Sequence, residues 1–299
     1  MTPTGLLIVD KPGGMTSHDV VARVRRVLGT RRVGHAGTLD PMATGVLVIG
    51  VGPATRLLGL LALDDKAYRT TMRLGASTIT DDREGEVIAE AGAEQIAALD
   101  EADVRGSLDS QVGTIQQRPS AVSAIKVKGR RAYDRVRAGE DVELPARSVT
   151  ISRIEVLSVQ RCEAFIDVDV EVECSSGTYV RAIARDAGVA LGVGGHLIAL
   201  RRTRVGPFPE TDAVPLDEIA ESSLIGLSAT AQRCFPMWAV DEQQARAVTL
   251  GQRIAWAGPD VDGPVAIVDT TGRLLAMARP VDALASYLAV LAEPPAVAG

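Results

Sequence analysis

Aromatic side chains are scarce in this sequence, with three Phe, four Tyr and two Trp among 299 residues, so each one is worth following as a candidate for stacking. Cysteine is equally sparse. Cys162, Cys174 and Cys234 show no C-x-x-C spacing, and the three histidines are scattered, so neither a disulfide framework nor a structural zinc site is supported. No apolar run approaches the roughly 20 residues needed to span a bilayer. The N-terminus has no basic stretch leading into an apolar core. These absences argue against membrane insertion and export and make a cytoplasmic location the expectation. Lysine is also rare: 28 of the 32 cations are Arg, which suits bidentate phosphate contacts or reflects compositional bias.

What is present fits a globular chain of more than one domain, with 46% hydrophobic and 23% charged residues. A composition change near Arg233 to Trp238, with Pro236 inside it, places the expected boundary, giving domains at residues 1–233 and 234–299. A net charge of −6 speaks at first against a nucleic-acid partner, but its distribution reverses that inference. Residues 1–60 carry seven cations against three acids, and residues 118–137 carry seven against one. Charge segregated in this way can build a basic face on an acidic protein, although a solvated Arg-rich surface accounts for it equally well.

Leu6 to Val9 reads as a short strand and Asp10-Lys11-Pro12-Gly13-Gly14 as a turn, in which Lys11 could meet a phosphate despite lacking the G-x-x-x-x-G-K spacing. Thr16 or Ser17 then caps a helix whose apolar face is Val20, Val21, Val24, Val27 and Leu28. Residues 34–50, G-H-A-G-T-L-D-P-M-A-T-G-V-L-V-I-G, form a loop holding His35 and Asp40 that runs into the buried strand Val46 to Ile49. On residue types alone, Asp40 and Pro41 read as turn residues ahead of the strand more readily than Asp40 reads as a catalytic carboxylate.

Lys66 to Leu74 alternates, placing Tyr68, Thr70, Met72 and Leu74 on one face. Residues 75–90 read as a polar loop, followed by a helix from Ala93 to Val104. The basic unit beyond it reads as a strand from Ala121 to Val127, a turn at Gly129 and a helical turn from Ala132 to Arg137. Two strands follow, Val149 to Val159 and Ala164 to Cys174. The second has Ile166, Val168, Val170 and Val172 inside, while Asp167, Asp169, Glu171 and Glu173 read as a solvated face. Gly177 and Thr178 turn the chain into a helix with Tyr179 and Arg181 in its first turn. A cation there opposes the helix dipole, so Arg181 calls for an anionic partner, for which Asp40 would serve. A further strand carries Leu200, Arg201, Arg202 and Arg204. Beyond residue 234 come a helix over Asp241 to Leu250, strands over Pro264 to Asp269 and Arg273 to Ala278, and an Ala/Pro-rich tail expected to be disordered.

Six ordered motifs spanning nearly all of residues 5–208 make the sequence resemble the tRNA pseudouridine synthase B (TruB) family. They are L-L-I-V-D-K-P-G-G-M-T-S, G-H-A-G-T-L-D-P-M-A-T-G-V-L, K-A-Y-R, R-P-S-A-V-S-A-I-K, G-T-Y-V-R and H-L-I-A-L-R-R-T-R. The resemblance implies an α+β pseudouridine synthase fold with a mixed, mostly antiparallel central sheet, plus a small C-terminal β-rich, PUA-like RNA-binding domain. It also implies isomerisation of the TΨC-loop uridine at tRNA position 55 to pseudouridine after base flipping, with no cofactor and no metal. In that reading Asp40 is the nucleophile, Arg181 pairs with it and Tyr68 stacks on the uracil. Tyr179 and Leu200 complete the pocket, His35 contacts the displaced strand or fills its space, and Arg31, Arg32 and the 118–137 segment meet phosphates. The expected partner is the TΨC stem-loop of tRNA, with no membrane, no obligate protein partner and a monomeric enzyme. An RNA-binding or RNA-folding protein with secondary catalysis, and a guide-dependent enzyme acting on ribosomal RNA, are the alternatives.

Overall fold

The computed structural model of the chain describes residues 2–61, 65–120, 126–127, 130–131 and 145–292. In chain order its first elements are β1 (Gly5–Lys11), α1 (Ser17–Val27), β2 (Val33–Ala36), β3 (Thr44–Val51), α2 (Leu58–Leu61), β4 (Lys66–Leu74), β5 (Ala76–Thr78), β6 (Val87–Glu90), α3 (Ala93–Ala98) and α4 (Glu101–Asp109). They are followed by β7 (Gly113–Gln117), β8 (Lys126–Val127), β9 (Arg130–Arg131), β10 (Arg147–Arg161), β11 (Ile166–Cys174), α5 (Val180–Ala190) and β12 (Gly195–Val205). The last are β13 (Phe208–Pro209), β14 (Val214–Pro215), α6 (Leu227–Cys234), β15 (Met237–Ala239), α7 (Glu242–Thr249), β16 (Val265–Val268), β17 (Leu274–Val281) and β18 (Leu284–Val290). The chain divides into two compact units, Met1–Asp40 with Val46–Leu63 and Gly206–Gly299, and Pro41–Gly45 with Asp64–Val205.

In the first unit, β1 lies parallel to β14 and antiparallel β2 pairs with β3, His35 opposite Ile49. Val46, Leu47, Val48 and Ile49 are wholly buried, as an apolar run without alternation requires. Thr16 is the cap of α1: its hydroxyl accepts from the Asp19 amide at 3.1 Å while the Asp19 carboxylate accepts from the Thr16 amide at 2.9 Å. The same unit carries a separate four-stranded sheet in the order β15-β16-β17-β18, over a core that includes Trp238, Val248, Ile254, Ile267 and Leu275.

The second unit is an antiparallel sheet in the order β12-β4-β11-β10-β7, and the start of β3 joins β12 in parallel. The whole is the mixed, mostly antiparallel α+β arrangement expected. Gly45 has no substitute, because a Cβ there would stand 2.2 Å from the Arg202 carbonyl oxygen on β12. On β4 the alternation holds, with Tyr68, Thr70, Met72 and Leu74 buried, and on β11 Ile166, Val168, Val170 and Val172 face inward.

Four local expectations are corrected. Residues 76–90 hold the hairpin β5–β6 instead of an open loop; β6 is fully exposed, so no burial pattern marked it. The helix expected over residues 93–104 is two helices. Leu99 is extended (ψ 141°), and Asp100 starts α4 with a reciprocal cap to Asp103 at 2.8 and 2.9 Å, a stronger local signal than continued periodicity. His35 lies on strand β2 and not in a loop. The acid row of β11 is only half exposed and is paired across the sheet: Asp167 to Arg73 (2.7 Å), Asp169 to the Thr71 and Ser158 hydroxyls (2.6 and 2.9 Å), Glu171 to Arg69 (2.8 Å) and Glu173 to Arg204 (2.7 Å). Of the basic 118–137 unit, β8 and β9 form a two-rung antiparallel ladder. The helical turn expected over 132–137 and the tail from residue 293 lie outside the described residues, as does most of the strand expected over 121–127.

Candidate functional site

In the first unit, Asp40 is half-buried and stands directly after Leu39, whose backbone is held from α1. The Leu39 amide donates to Ser17 Oγ at 2.9 Å, and the same hydroxyl donates back to the Leu39 carbonyl at 3.2 Å; Ser17 itself is 1% exposed. Gly37, at φ 73°, supplies the left-handed residue that turns the chain out of β2. Asp40 thus follows a backbone anchored on one side by a buried hydroxyl and, after a short connection, by β3 on the other. His35 meets the edge of His18 with ring centroids 5.3 Å apart.

Lys11 takes a different place from the phosphate contact expected. It is 0% exposed, and its ammonium donates to the carbonyls of Pro12 (2.9 Å) and Met15 (2.6 Å), tying the turn that leads into α1. A buried amine satisfied by backbone carbonyls serves that turn. Arg31 and Arg32 are exposed, and Arg32 Nε donates to Thr55 Oγ1 at 3.2 Å.

The second unit assembles the remaining residues. Tyr68 on β4 is 7% exposed, and Leu200 on β12, opposite Thr70, is 8% exposed. Residues directly opposite in an antiparallel pair share a face, so Leu200 lies on the same side of the sheet as Tyr68. Arg202, opposite Tyr68, is 1% exposed; sequence patterning marked it only as one of several flanking arginines. A groove of about 480 Å³ runs past Leu200 and is also lined by Met42, Thr44, Thr70, Arg83 and Arg201.

Tyr179 and Arg181 open α5 immediately beyond β11. Tyr179 is the cap residue: its amide donates to Gln117 Oε1 (2.7 Å), its carbonyl accepts from Gln117 Nε2 (3.1 Å), and the Arg147 guanidinium lies 5.0 Å over its ring. Arg181, 5% exposed, directs Nη1 to the Thr80 carbonyl (2.6 Å) and to Asp82 Oδ2 (3.2 Å). Asp82, 3% exposed, is held in turn by the Thr80 hydroxyl (2.5 Å) and the Glu84 amide (3.0 Å). The expectation that Arg181 needs an anion is met here by Asp82. Nothing in the local pattern singled it out, since it stands 99 residues away in a stretch read as loop.

Its neighbour Asp81 faces the next turn of α5, where Arg185 Nη1 donates to Asp81 Oδ2 at 3.1 Å. Burial pushes the Asp81 carboxyl above its ordinary range, against the pull of Ser120, Arg185 and Arg181. Burial likewise pushes the Cys174 thiol up to about 11, so it is no nucleophile near neutral pH. Among the described residues no group of three or more His, Cys, Asp and Glu side chains is placed to hold a metal ion.

Two family models match adjoining stretches of the sequence. Residues 25–180 match the TruB family pseudouridylate synthase N-terminal domain, and residues 181–232 match the tRNA pseudouridylate synthase B C-terminal domain. It is 54% identical over 283 residues to the tRNA pseudouridine synthase B of Cutibacterium acnes, covering 93% of this chain and 94% of that protein. It is 56% identical over 277 residues to the enzyme so named from Rhodococcus jostii, covering 91% and 89%. Among solved structures, it resembles a Cbf5–Nop10–Gar1 complex with a TM-score of 0.74 at 26% identity, covering 98% of this chain and 86% of that one. A similar match is to an H/ACA ribonucleoprotein bound to a substrate RNA containing 2'-deoxyuridine, with a TM-score of 0.70 at 25% identity, covering 98% and 85%. With both models matched over the residues that carry Asp40, Tyr68, Tyr179, Arg181 and Leu200, the chain belongs to the TruB family of pseudouridylate synthases.

Proposed function

We propose that this chain isomerises uridine 55 of the tRNA TΨC loop to pseudouridine. The observation that carries the reading is the Asp40 loop: a carboxylate on the residue that follows Leu39, whose backbone the buried Ser17 hydroxyl bonds both ways, within a sequence shared with relatives that are named for this reaction. The reaction breaks the bond from N1 of uracil to C1' of the sugar and makes one from C5 to C1'; C5 gives up its proton and N1 gains one. Asp40 acts as the nucleophile, and a covalent carboxylate intermediate divides one hard step into two easier ones. Arg181 orients Asp40, Tyr68 stacks on the flipped uracil, and Tyr179 and Leu200 wall the pocket. His35 meets the displaced strand. Flipping the uridine from its stack costs a few kcal/mol, recovered through these contacts.

Arg31, Arg32 and the cations of residues 118–137 supply phosphate contacts, so affinity falls steeply with salt; a flat salt response would remove electrostatic docking. Residues 234–299, with the four-stranded sheet beginning at Met237, form a PUA-like RNA-binding domain after a catalytic domain of residues 1–233. The enzyme works as a cytoplasmic monomer away from membranes; no described helix is long and apolar enough to cross one.

The test is release of tritium from tRNA carrying 5-tritiated uridine. Asp40→Asn is expected to bind tRNA within about twofold of wild type and to release none; turnover by this variant would take the nucleophile role away from Asp40. The second reading, a guide-dependent enzyme, draws on the likeness to the H/ACA assemblies. Activity on bare tRNA with the product mapped to one uridine decides against it.

A further inference from the structure

Three residues at and just beyond the end of β7, Gln117, Arg118 and Ser120, are bonded to the start of α5 or to the acid that faces it. Gln117, 1% exposed, closes a two-way bridge onto the amide and carbonyl of Tyr179. The Arg118 carbonyl accepts from Arg185 Nη2 at 2.8 Å. Ser120, 0% exposed, donates from Oγ to Asp81 Oδ2 at 2.6 Å, the same oxygen that receives Arg185 Nη1 at 3.1 Å.

Asp81 sits at φ 58°, a left-handed conformation that only Asn, Asp and Gly adopt with ease. Its backbone carbonyl accepts from the Leu197 amide on β12 at 3.0 Å, and its own amide donates to the Thr78 carbonyl at 3.2 Å. Both acceptors that Arg181 finds on this turn, the Thr80 carbonyl and the Asp82 carboxylate, flank Asp81 in sequence. Arg181 and Arg185 are four residues apart and therefore share one face of α5. They form two rungs against consecutive acids: Arg181 on Asp82, Arg185 on Asp81. The outer rung is the one locked to residues 118 and 120. If Asp81 is released from Ser120 and Arg185, its side chain no longer ties this turn to α5 and to residue 120, and the turn that presents the acceptors to Arg181 is left with its backbone bonds alone.

We propose that Asp81, Ser120, Arg185 and Gln117 are positioning residues for the pseudouridylation step, acting through Arg181 and Tyr179. This rests on the family reading of Tyr179 and Arg181.

The test uses the full chain and tRNA, with single-turnover tritium release and tRNA binding measured separately. Asp81→Asn keeps the shape and the left-handed backbone but loses the carboxylate. It is expected to slow the single-turnover rate about tenfold while changing the Kd for tRNA less than twofold. Ser120→Ala is expected to lose about threefold to tenfold in rate, and Ser120→Thr, which keeps the hydroxyl, to recover most of it. The double variant Asp81→Asn with Arg185→Gln should be no slower than the worse single variant, as for groups acting as one unit. Wild-type rates in both single variants would overturn the proposal, and so would a loss confined to Kd. If Asp81→Asn does not fold, the Ser120 pair decides alone. An inactive wild-type chain on tRNA would count against the family reading and not the positioning role, because the wild-type assay is run first.

Discussion

The two units hold their functional residues by different physics. Ahead of Asp40 the first unit uses a neutral hydroxyl, Ser17 at the start of α1, bonded both ways to the Leu39 backbone. Around Arg181 the second unit uses charge: two buried or nearly buried acids, two arginines and the hydroxyls of Thr80 and Ser120. A neutral anchor fixes a backbone without adding a field beside the Asp40 carboxylate, the group proposed to react. An ionic network fixes the direction of a guanidinium, which a single neutral bond cannot do, at the cost of desolvating every member.

Substitutions test this contrast from the largest effect to the smallest. Asp82→Ala removes a partner of Arg181 in a pair whose side chains are 6% and 4% exposed, and should cost about 3 kcal/mol of stability along with most of the tritium release. A melting temperature close to wild type would mean that the network is not the support it is taken to be. Ser17→Ala should cost about 1 to 2 kcal/mol, from one lost hydroxyl and the Leu39 groups left without it, read as a shift in the denaturant midpoint. Its activity should fall further than that of an equally destabilising change in the C-terminal sheet, such as Ile267→Val.

The pH dependence separates the two kinds of anchor further. The folded-state pKa of Asp81 is raised by burial above its ordinary value of 3.8. The folded chain therefore binds this proton more tightly than the unfolded one. The contribution is fully present below 3.8 and is lost as pH rises through the folded value. The melting temperature of Asp81→Asn minus that of wild type should accordingly increase from acid to neutral pH, while its activity stays low. No such trend is expected for Ser17→Ala, and a flat difference for Asp81→Asn would place the burial cost elsewhere. At the small end, Arg69→Ala breaks a pair whose side chains are 57% and 33% exposed, and should shift stability by no more than about 0.5 kcal/mol.

Much of this is legible in the sequence. The period of two on β4 and β11 sorted Tyr68, Met72, Val168 and Val170 to the inside, because burial of an apolar side chain depends on its own chemistry and its phase along the strand. Thr16, read as one of two cap candidates with Ser17, marked the start of α1 for the same local reason, and the structure adds Asp19 to its cap. The motif around Asp40 was legible as a motif, and its buried strand as a strand. The hairpin β5–β6 was not, since β6 is exposed on every residue and shows no phase, and β5 is only three residues long.

What no local pattern could reveal is which charges meet. Glu171 and Asp167 looked like a solvated row until β4 brought Arg69 and Arg73 alongside them, 102 and 94 residues away in the chain. Arg181 announced by its place at a helix N-terminus that it needed an anion. Only the fold supplied Asp82, and only the fold set Asp81, Arg185 and Ser120 behind it. The sequence by itself determined the family, through its ordered motifs, and the buried faces of β4 and β11 and the start of α1, through short-range periodicity and residue type. The tertiary structure decided the partners, because a hydrogen bond or ion pair forms only where two distant segments are brought within about 3 Å of each other.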